Sequence, residues 1–376
     1  MENKASLKEI AQLFLKLGFI GFGGPAAHIA MMQREVVDQR KWLSEQHFLD
    51  LIGVTNLIPG PNSTEMAIHI GYEKGGWKGL IIAGLCFIIP AVLITGIFAW
   101  LYKQYGQVPE LQAFFYGIKP AIIAIILGAV YPLAKKSLKT TQLAILGSLV
   151  LMGAFLGVHE IYLLFGTGLA ALLLHKLTTK NEPTLNSIVA LPFLQLTGTT
   201  LLTATNTQLF WIFLKIGSIL YGSGYVLFAF LDTELVATGL LSRQQLIDAI
   251  AVGQFTPGPV FSSVTFIGYQ INGLSGAIVS TIGIFLPSFV LVGLLSSLVK
   301  KMRNSKTFAV FLDAVNVASV ALIISICFVM GKDTITDWRT IAIALLSIFI
   351  TFRYNKINSA FIVLGGALLG YLFYHI

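Results

Sequence analysis

A Pro-Gly-Pro triplet stands at residues 59–61, inside an otherwise apolar stretch, and another stands at residues 257–259. This feature limits the fold more than any other. Proline has no N–H and its ring clashes with the preceding turn, so a helix arriving from Glu45 has to stop before Pro59. A helix over Glu45–Ile58 reaches roughly 21 Å, short of the about 30 Å of hydrocarbon in a bilayer. The chain is expected to restart with Gly60 as N-cap and Pro61 at the first helical position. The N–H groups of Asn62 and Ser63 are then free to face an anion. The second triplet sits in Thr256–Ser263, TPGPVFSS, and predicts the same break.

The recurrence extends well beyond the triplets. Lys16 and Lys215 differ by 199 positions, Pro59 and Pro257 by 198, and Pro90 and Pro287 by 197. With two one-residue gaps the register also carries Phe14/Phe213, Gly18/Gly217, Gly23/Gly222, Glu35/Glu234, Ser44/Ser242, Asp50/Asp248, Tyr72/Tyr269 and Gly79/Gly276. Shared hydrophobicity does not produce such a register; an internal duplication does. Residues 1–180 form the first repeat, 181–205 a linker or extra span, and 206–376 the second repeat.

Composition decides the medium. The 376 residues are 56% hydrophobic and 11% charged, where soluble domains carry about 25% charged residues. The chain reads as an all-α polytopic membrane protein, and its first partner is the lipid bilayer. The net charge of +8 suggests nucleic acid, but the basic residues lie in short loops between apolar runs, as the positive-inside rule requires, so nucleic acid is excluded as a partner. Cys86 and Cys327 lie inside apolar runs, which argues against a disulfide or a metal site. The N-terminal MENKASLKEI lacks a signal-peptide pattern, and no phosphate loop, metal spacing or cofactor motif appears.

Loop charge gives orientation. In the first repeat Lys135, Lys136 and Lys139 follow the run ending at Ala134, whereas the second repeat places Lys300, Lys301, Arg303 and Lys306 one loop earlier. The basic loop has changed ends, which predicts two inverted-topology repeats with discontinuous helices. Lys74, Lys78, Lys176, Lys180, Arg353 and Lys356 fall on the cytoplasmic side of that scheme. The short broken regions either all cross, giving six crossings per repeat, or all re-enter, giving four. An inverted second repeat then requires Ser187–Thr205 to cross; one crossing and one re-entrant region in each repeat would remove that need.

The candidate site residues lie at the breaks. Gly23 and Gly24 precede Pro25, and Gly222 and Ser223 stand at the equivalent place. Gly60, Asn62, Ser63 and Thr64 match Gly258, Ser262 and Ser263. A single such triplet is as well explained by a kink, but two equivalent copies followed by hydroxyl or amide side chains favour a ligand site. Lys16 and Lys215 sit two turns before a break, where they either supply charge to an anion or snorkel to the surface. Glu35, Asp50, Glu234 and Asp248 are candidates for coupling or, more plainly, for pairing with those cations. Glu65 has no acidic equivalent and sits in a first helical turn, where the helix dipole alone accounts for it. His28 and His69 are also unduplicated and read more simply as packing residues.

The stretches GFGGPAAHIAMM (Gly21–Met32), Arg40–Ser44 and PGPNSTEMAIHIGY (Pro59–Tyr72) resemble the chromate ion transporter family. Tyr221–Phe230, QLIDAIAVGQFTPGP (Gln245–Pro259) and GIFLPSF (Gly283–Phe289) resemble its second domain, so the likeness covers essentially the whole chain. Ser223 stands where glycine is expected and Leu240 where tryptophan is. The resemblance implies a two-domain inner-membrane transporter that exports chromate from the cytoplasm, with sulfate as a similar tetrahedral dianion. An inside-negative potential of 100 mV favours expulsion of a dianion by about 4.6 kcal/mol, so no ATP is needed. The alternatives are uptake or exchange of sulfate or an organic anion, and an intramembrane enzyme built on His28, His69 and Glu65. Homo-oligomerisation stays open.

Overall fold

The computed structural model describes residues 5–106, 108–178, 205–295, 305–354 and 357–374, and every regular element among them is helical. The expected extra span over residues 187–205 lies outside them except for Thr205, as do Lys180, Lys300, Lys301, Arg303 and Lys356.

In the first repeat, α1 (Leu7–Ile20) starts from a capping box in which Ser6 and Glu9 satisfy each other's backbone. Helix α2 (Gly24–Gln33) has Pro25 in its first turn and widens into a π-turn at Arg34–Gln39. Helix α3 (Glu45–Thr55) is capped by Ser44. Helix α4 (Ser63–Tyr105) is interrupted at Gly76, whose φ of 59° and ψ of −150° are closed to residues with a Cβ. The chain folds back there: Gly71 and Gly79 lie with backbone against backbone, so Ser63–Gly75 and Trp77–Tyr105 form a helical hairpin. The repeat ends with α5 (Pro109–Ser137), α6 (Thr141–Phe155) and α7 (Glu160–Thr178).

The second repeat follows the same plan. It comprises α8 (Asn206–Ile219), α9 (Leu227–Leu231), α10 (Arg243–Phe255) and α11 (Ser263–Leu295), which is interrupted at Asn272 and Gly273. Then come α12 (Lys306–Thr334), α13 (Trp338–Arg353) and α14 (Ser359–Tyr374). Five described helical segments are long and apolar enough to cross a membrane, so the chain is an all-α polytopic membrane protein.

The hairpins place the breaks in the middle of the molecule. Leu7 and Ile10, at the start of α1, lie against Gly75, and His47 at the start of α3 lies 3.5 Å from Glu73. The chain therefore reaches Gly21 from the Gly76 end, goes back, and reaches Pro59 from the same end. In the second repeat Asn206 at the start of α8 accepts a hydrogen bond from Asn272 at 3.2 Å, beside the Gly273 turn. The segments after the two turns lie side by side in opposite directions. Trp77 packs on Gly293, Gly84 on Phe289, and the Gln270 amide donates to the Ala99 carbonyl at 2.9 Å.

Partners are exchanged between the repeats. Helix α5 of the first packs on α13 and α14 of the second, and α12 of the second packs on α6 and α7 of the first. Proline helps the closest approach, because Pro90 leaves the Cys86 carbonyl without its helical donor. A Cβ on Gly18 would meet that oxygen at 3.0 Å and the Phe87 carbonyl at 2.9 Å, and one on Gly217 would meet the Ile284 carbonyl at 2.4 Å and the Pro287 ring at 3.2 Å. Neither position has room for a side chain.

The restart after the first triplet differs from the sequence expectation. Neither Gly60 nor Pro61 opens the helix; Asn62, at φ 52°, takes the N-cap position and Ser63 begins it. With ψ at −48° this is the geometry of a γ-turn centred on Asn62, and it moves the helix start two residues beyond Pro61. The Ser63 N–H is consequently turned back onto the Pro61 carbonyl at 2.5 Å, not left free. In the second repeat a 3-10 turn, Val260–Ser262, precedes Ser263.

Candidate functional site

The four breaks converge through the backbone. The Gly60 N–H donates to the Leu220 carbonyl at 2.8 Å, and the Gly258 N–H donates to the Gly21 carbonyl at 2.7 Å. Gly60 and Gly258 are equivalent in the duplication, and so are Gly21 and Leu220. Each bond joins one repeat to the other, so the four non-helical tips are tied together in two pairs. Positive φ angles at Gly23 (105°), Gly24 (80°), Gly60 (139°), Gly222 (94°) and Gly258 (89°) make the turns. A side chain on Gly222 would meet Ser319 Oγ at 2.7 Å, and one on Gly258 the Ala91 methyl at 2.7 Å. A Cβ on Gly24 would lie 3.2 Å from the Tyr225 hydroxyl.

The polar side chains around the two Pro-Gly-Pro tips differ. At the first, Glu65 is fully buried; its Oε1 accepts from the Ser288 hydroxyl, and its Oε2 has no hydrogen-bond partner among the described residues. Ser63 donates to the Pro61 carbonyl at 3.3 Å, Thr64 Oγ1 is buried without a described partner, and the Asn62 amide donates to Asn56 at 3.3 Å. At the second tip Thr95 donates to Ser262 Oγ at 3.3 Å and lies 3.5 Å from Thr256 Oγ1. Ser263 Oγ and Gln254 Nε2 are buried there without described partners. Ser223 caps the turn at Gly224, its Oγ accepting from the Tyr225 N–H at 3.4 Å. His28 Nε2 lies 2.9 Å from the Gly21 carbonyl, so that nitrogen carries the proton.

The duplicated charges form pairs. Lys16 Nζ lies 2.5 Å from Glu35, and Lys215 Nζ lies 2.5 Å from Glu234. Arg40 approaches Glu35 at 3.4 Å, and His159, in the turn before α7, approaches Glu234 at 3.6 Å. Burial opposes ionisation of Glu234, but the nearby His159 and the hydrogen bond and charge of Lys215 outweigh it and hold the carboxyl below its usual range. The Glu234 carboxylate beside it in turn raises His159, against the smaller effect of its burial. The structure thus brings both lysines to glutamates and not to the tips. Asp50 stays partly exposed on α3.

Asp248 has a partner that sequence reasoning missed. Lys119 of α5, in the other repeat, lies 2.9 Å from Asp248 Oδ1, and the Tyr102 hydroxyl donates to Oδ2 at 2.6 Å. Asp248 is 3% exposed and Lys119 9%, so this is a buried ion pair between repeats. One signal was available: Lys119 is the sole charged residue in the apolar run from Leu111 to Ala134.

Relatives give the arrangement its context. A sequence model of the chromate transporter family matches residues 8–172 and again 207–371, once in each half. A protein of Synechococcus elongatus named as a probable chromate transport protein is 33% identical, covering 98% of this chain and 96% of its own length. The chromate transport protein of Cupriavidus metallidurans is 31% identical, over 98% of this chain and 94% of its own. That of Pseudomonas aeruginosa is 28% identical, over 98% and 92%. These relatives are named as transport proteins, not as enzymes. No solved structure matches the chain. With both halves matched and the curated relatives aligned end to end, the chain belongs to the chromate transporter family and is a multi-pass membrane transporter.

Proposed function

We propose that the protein exports chromate, with sulfate as the similar tetrahedral dianion, across the inner membrane through a site between the four tips. The observation that carries this reading is the pair of equivalent bonds from Gly60 to Leu220 and from Gly258 to Gly21. Moving the repeats apart would release two backbone N–H donors toward one central point, as in transporters built on discontinuous helices. The unpartnered polar atoms of Thr64, Ser263 and Gln254 support it. Leaving such a group unpaired costs about 1–3 kcal/mol, which a hydrogen-bonding ligand or water recovers. Hydroxyls of Ser63, Ser262 and Ser223 add further donors.

The two repeats have opposite orientations in this reading. The antiparallel packing of Trp77 on Gly293 and of Gln270 on Ala99 supports it. So does charge. Lys74, Lys78, Lys135, Lys136 and Lys139 belong to the Gly76 end, which is taken as cytoplasmic. At the other end Arg243 and Arg339 are paired with Asp232 and Asp337. The potential then expels a dianion without ATP. Glu65 is the coupling candidate: its ionised carboxylate would repel a dianion strongly in a low-dielectric tip, so it is protonated before the anion binds.

The test is chromate efflux from proteoliposomes containing only this protein, with a potassium diffusion potential of either sign. An interior-negative potential should accelerate efflux, and efflux should slow as pH rises. Glu65→Gln, which keeps the side-chain shape, should flatten the pH dependence. Flux indifferent to potential would end the export reading, and an unaltered pH profile in Glu65→Gln would remove Glu65 from the site.

A further inference from the structure

The side chains of Thr95, Thr256 and Ser262 form a buried hydroxyl cluster where α10 ends and the second Pro-Gly-Pro tip begins. Thr95 Oγ1 lies 3.3 Å from Ser262 Oγ and 3.5 Å from Thr256 Oγ1, beyond the about 2.7–2.8 Å of a good hydroxyl pair. The three hydroxyls make no other hydrogen bond among the described residues. The backbone beside them is short of donors as well. Pro257 and Pro259 have no N–H, and the Gly258 N–H is committed to Gly21. The carbonyls of Gly253, Gln254 and Phe255 therefore lack helical donors, at the end of α10 that carries the negative pole of the helix.

The first Pro-Gly-Pro tip shows that the fold does not require this cluster. There Ile58 stands for Thr256 and Val292 for Thr95, and both belong to one buried apolar cluster. The chain after α3 also closes on itself. The Leu57 N–H donates to the Val54 carbonyl at 3.0 Å, and the Ile58 N–H to that of Thr55 at 3.2 Å. The first tip is sealed by apolar packing and its own turn, whereas the second gathers oxygens.

Spacing and charge identify an occupant. Oxygens about 2.4 Å from a cation of calcium's size, at right angles around it, lie about 3.4 Å apart; around magnesium, at about 2.0 Å, they lie about 2.9 Å apart. The hydroxyls here match the larger ion. None of the clustered groups is a carboxylate, the usual ligand of a divalent ion, and Asp248, two turns earlier on α10, is paired with Lys119. Sodium has nearly calcium's radius and half its charge. We propose that a sodium ion binds at the second tip, held by the Thr95, Thr256 and Ser262 oxygens together with carbonyls at the end of α10. Carbonyls at the ends of broken helices hold sodium in other transporters. A hydroxyl that lends its oxygen to a cation keeps its proton, so Ser262 can still donate to an anion. The site does not depend on the chain exporting chromate, and its test uses no transport.

The full chain, in nanodiscs prepared without sodium, is titrated with sodium, potassium or choline chloride at matched ionic strength. Binding of radioactive sodium is measured directly, and thermal unfolding reports the same occupancy. Sodium should bind saturably and raise the unfolding temperature, whereas potassium should do neither. Thr95→Val introduces the residue found at the equivalent position, Val292. It and Thr256→Val should each weaken sodium binding at least about tenfold, or about 1.4 kcal/mol. Thr95→Ser, which keeps the oxygen, should retain binding. The proposal is overturned if the wild-type protein binds no sodium or binds potassium equally well. It is also overturned if folded Thr95→Val and Thr256→Val bind sodium normally, or if Thr95→Ser loses as much as Thr95→Val.

Discussion

Around Gly60 stand the side chains of Glu65 and Ser288; around Gly258, its equivalent, stands the methyl of Ala91. In the duplication Ser288 corresponds to Ala91 and Val292 to Thr95, and the stretch Ser262–Val264 stands where Glu65 does. The backbones have stayed alike, with positive φ at both glycines and a bond of the same kind from each N–H to the other repeat. The side chains have diverged, one tip holding a buried acid and the other hydroxyls. The backbone of the breaks is therefore what the fold requires in two copies, and the polar side chains are where a single function can be asymmetric.

The largest expected effect tests the common part. Gly60→Val and Gly258→Val should each abolish transport while the protein still inserts. A Cβ at Gly60 runs into the Glu65 carboxylate, and one at Gly258 reaches Ala91 at 2.7 Å. Both positions also add about 1–2 kcal/mol for a side chain at positive φ. Gly258→Ala combined with Ala91→Gly should recover part of the activity, since it removes the collision and keeps the φ cost. Gly53 is the control, because a Cβ added there would meet no atom of another element within 4 Å. Gly79 is no control: although outside the breaks, it faces the Gly71 carbonyl in the hairpin. A Gly53→Ala loss equal to the others would show that the tips are not special.

Much of this architecture was legible because proline and glycine act locally. The breaks at Pro59 and Pro257 follow from missing N–H groups, and the duplication transfers each reading to the other repeat. Where local chemistry offered a choice the expectation was wrong: Asn62 takes a γ-turn at φ 52°, and the helix starts at Ser63. Contacts between the repeats were not legible. Nothing in the spacing of Lys119 and Asp248 reveals that α5 crosses to α10. The pairing of Glu35 with Lys16 and of Glu234 with Lys215 lies within each repeat and was the plainer reading of the duplicated charges. Substrate is legible through relatives alone, since hydroxyls and backbone donors do not distinguish chromate from sulfate.

The next effect sharpens the asymmetry. Lys119 has Asn316 as its equivalent, and Asn316 lies beside Gly222 instead of an acid. Lys119→Met leaves Asp248 buried with only the Tyr102 hydroxyl and should destabilise the protein by about 3–5 kcal/mol. Lys119→Met with Asp248→Leu should regain most of that, because a buried ion pair and well-packed apolar groups are nearly equivalent in stability. Asn316→Leu should cost far less than Lys119→Met alone. Thermal unfolding in one detergent decides; equal destabilisation by Lys119→Met and Asn316→Leu would show that the charge at α5 plays no special part.

The smallest effect concerns the lysines, the charges at first most suited to hold a dianion. The Lys16 side chain is 51% exposed and that of Lys215 31%, and each is 2.5 Å from a glutamate. The glutamates are only 9% and 12% exposed, but each keeps a second basic neighbour, so Lys16→Met and Lys215→Met should cost about 0–1 kcal/mol and change the half-saturation for chromate less than about threefold. They should still differ in pH dependence. Glu35 keeps Arg40, charged at every accessible pH, whereas Glu234 keeps His159. The His159 pKa is raised by Glu234, so its contribution is complete below the ordinary histidine value of about 6.5 and is lost as pH rises through the raised value. Above that value Glu234 depends on Lys215 alone. Lys215→Met should therefore cost more stability in alkaline than in acidic buffer, and Lys16→Met should cost the same in both. Thermal unfolding across that range, with chromate half-saturation measured beside it, separates the cases. A tenfold loss of affinity in either methionine variant, about 1.4 kcal/mol, would mean that the lysines leave their glutamates and reach the anion during transport.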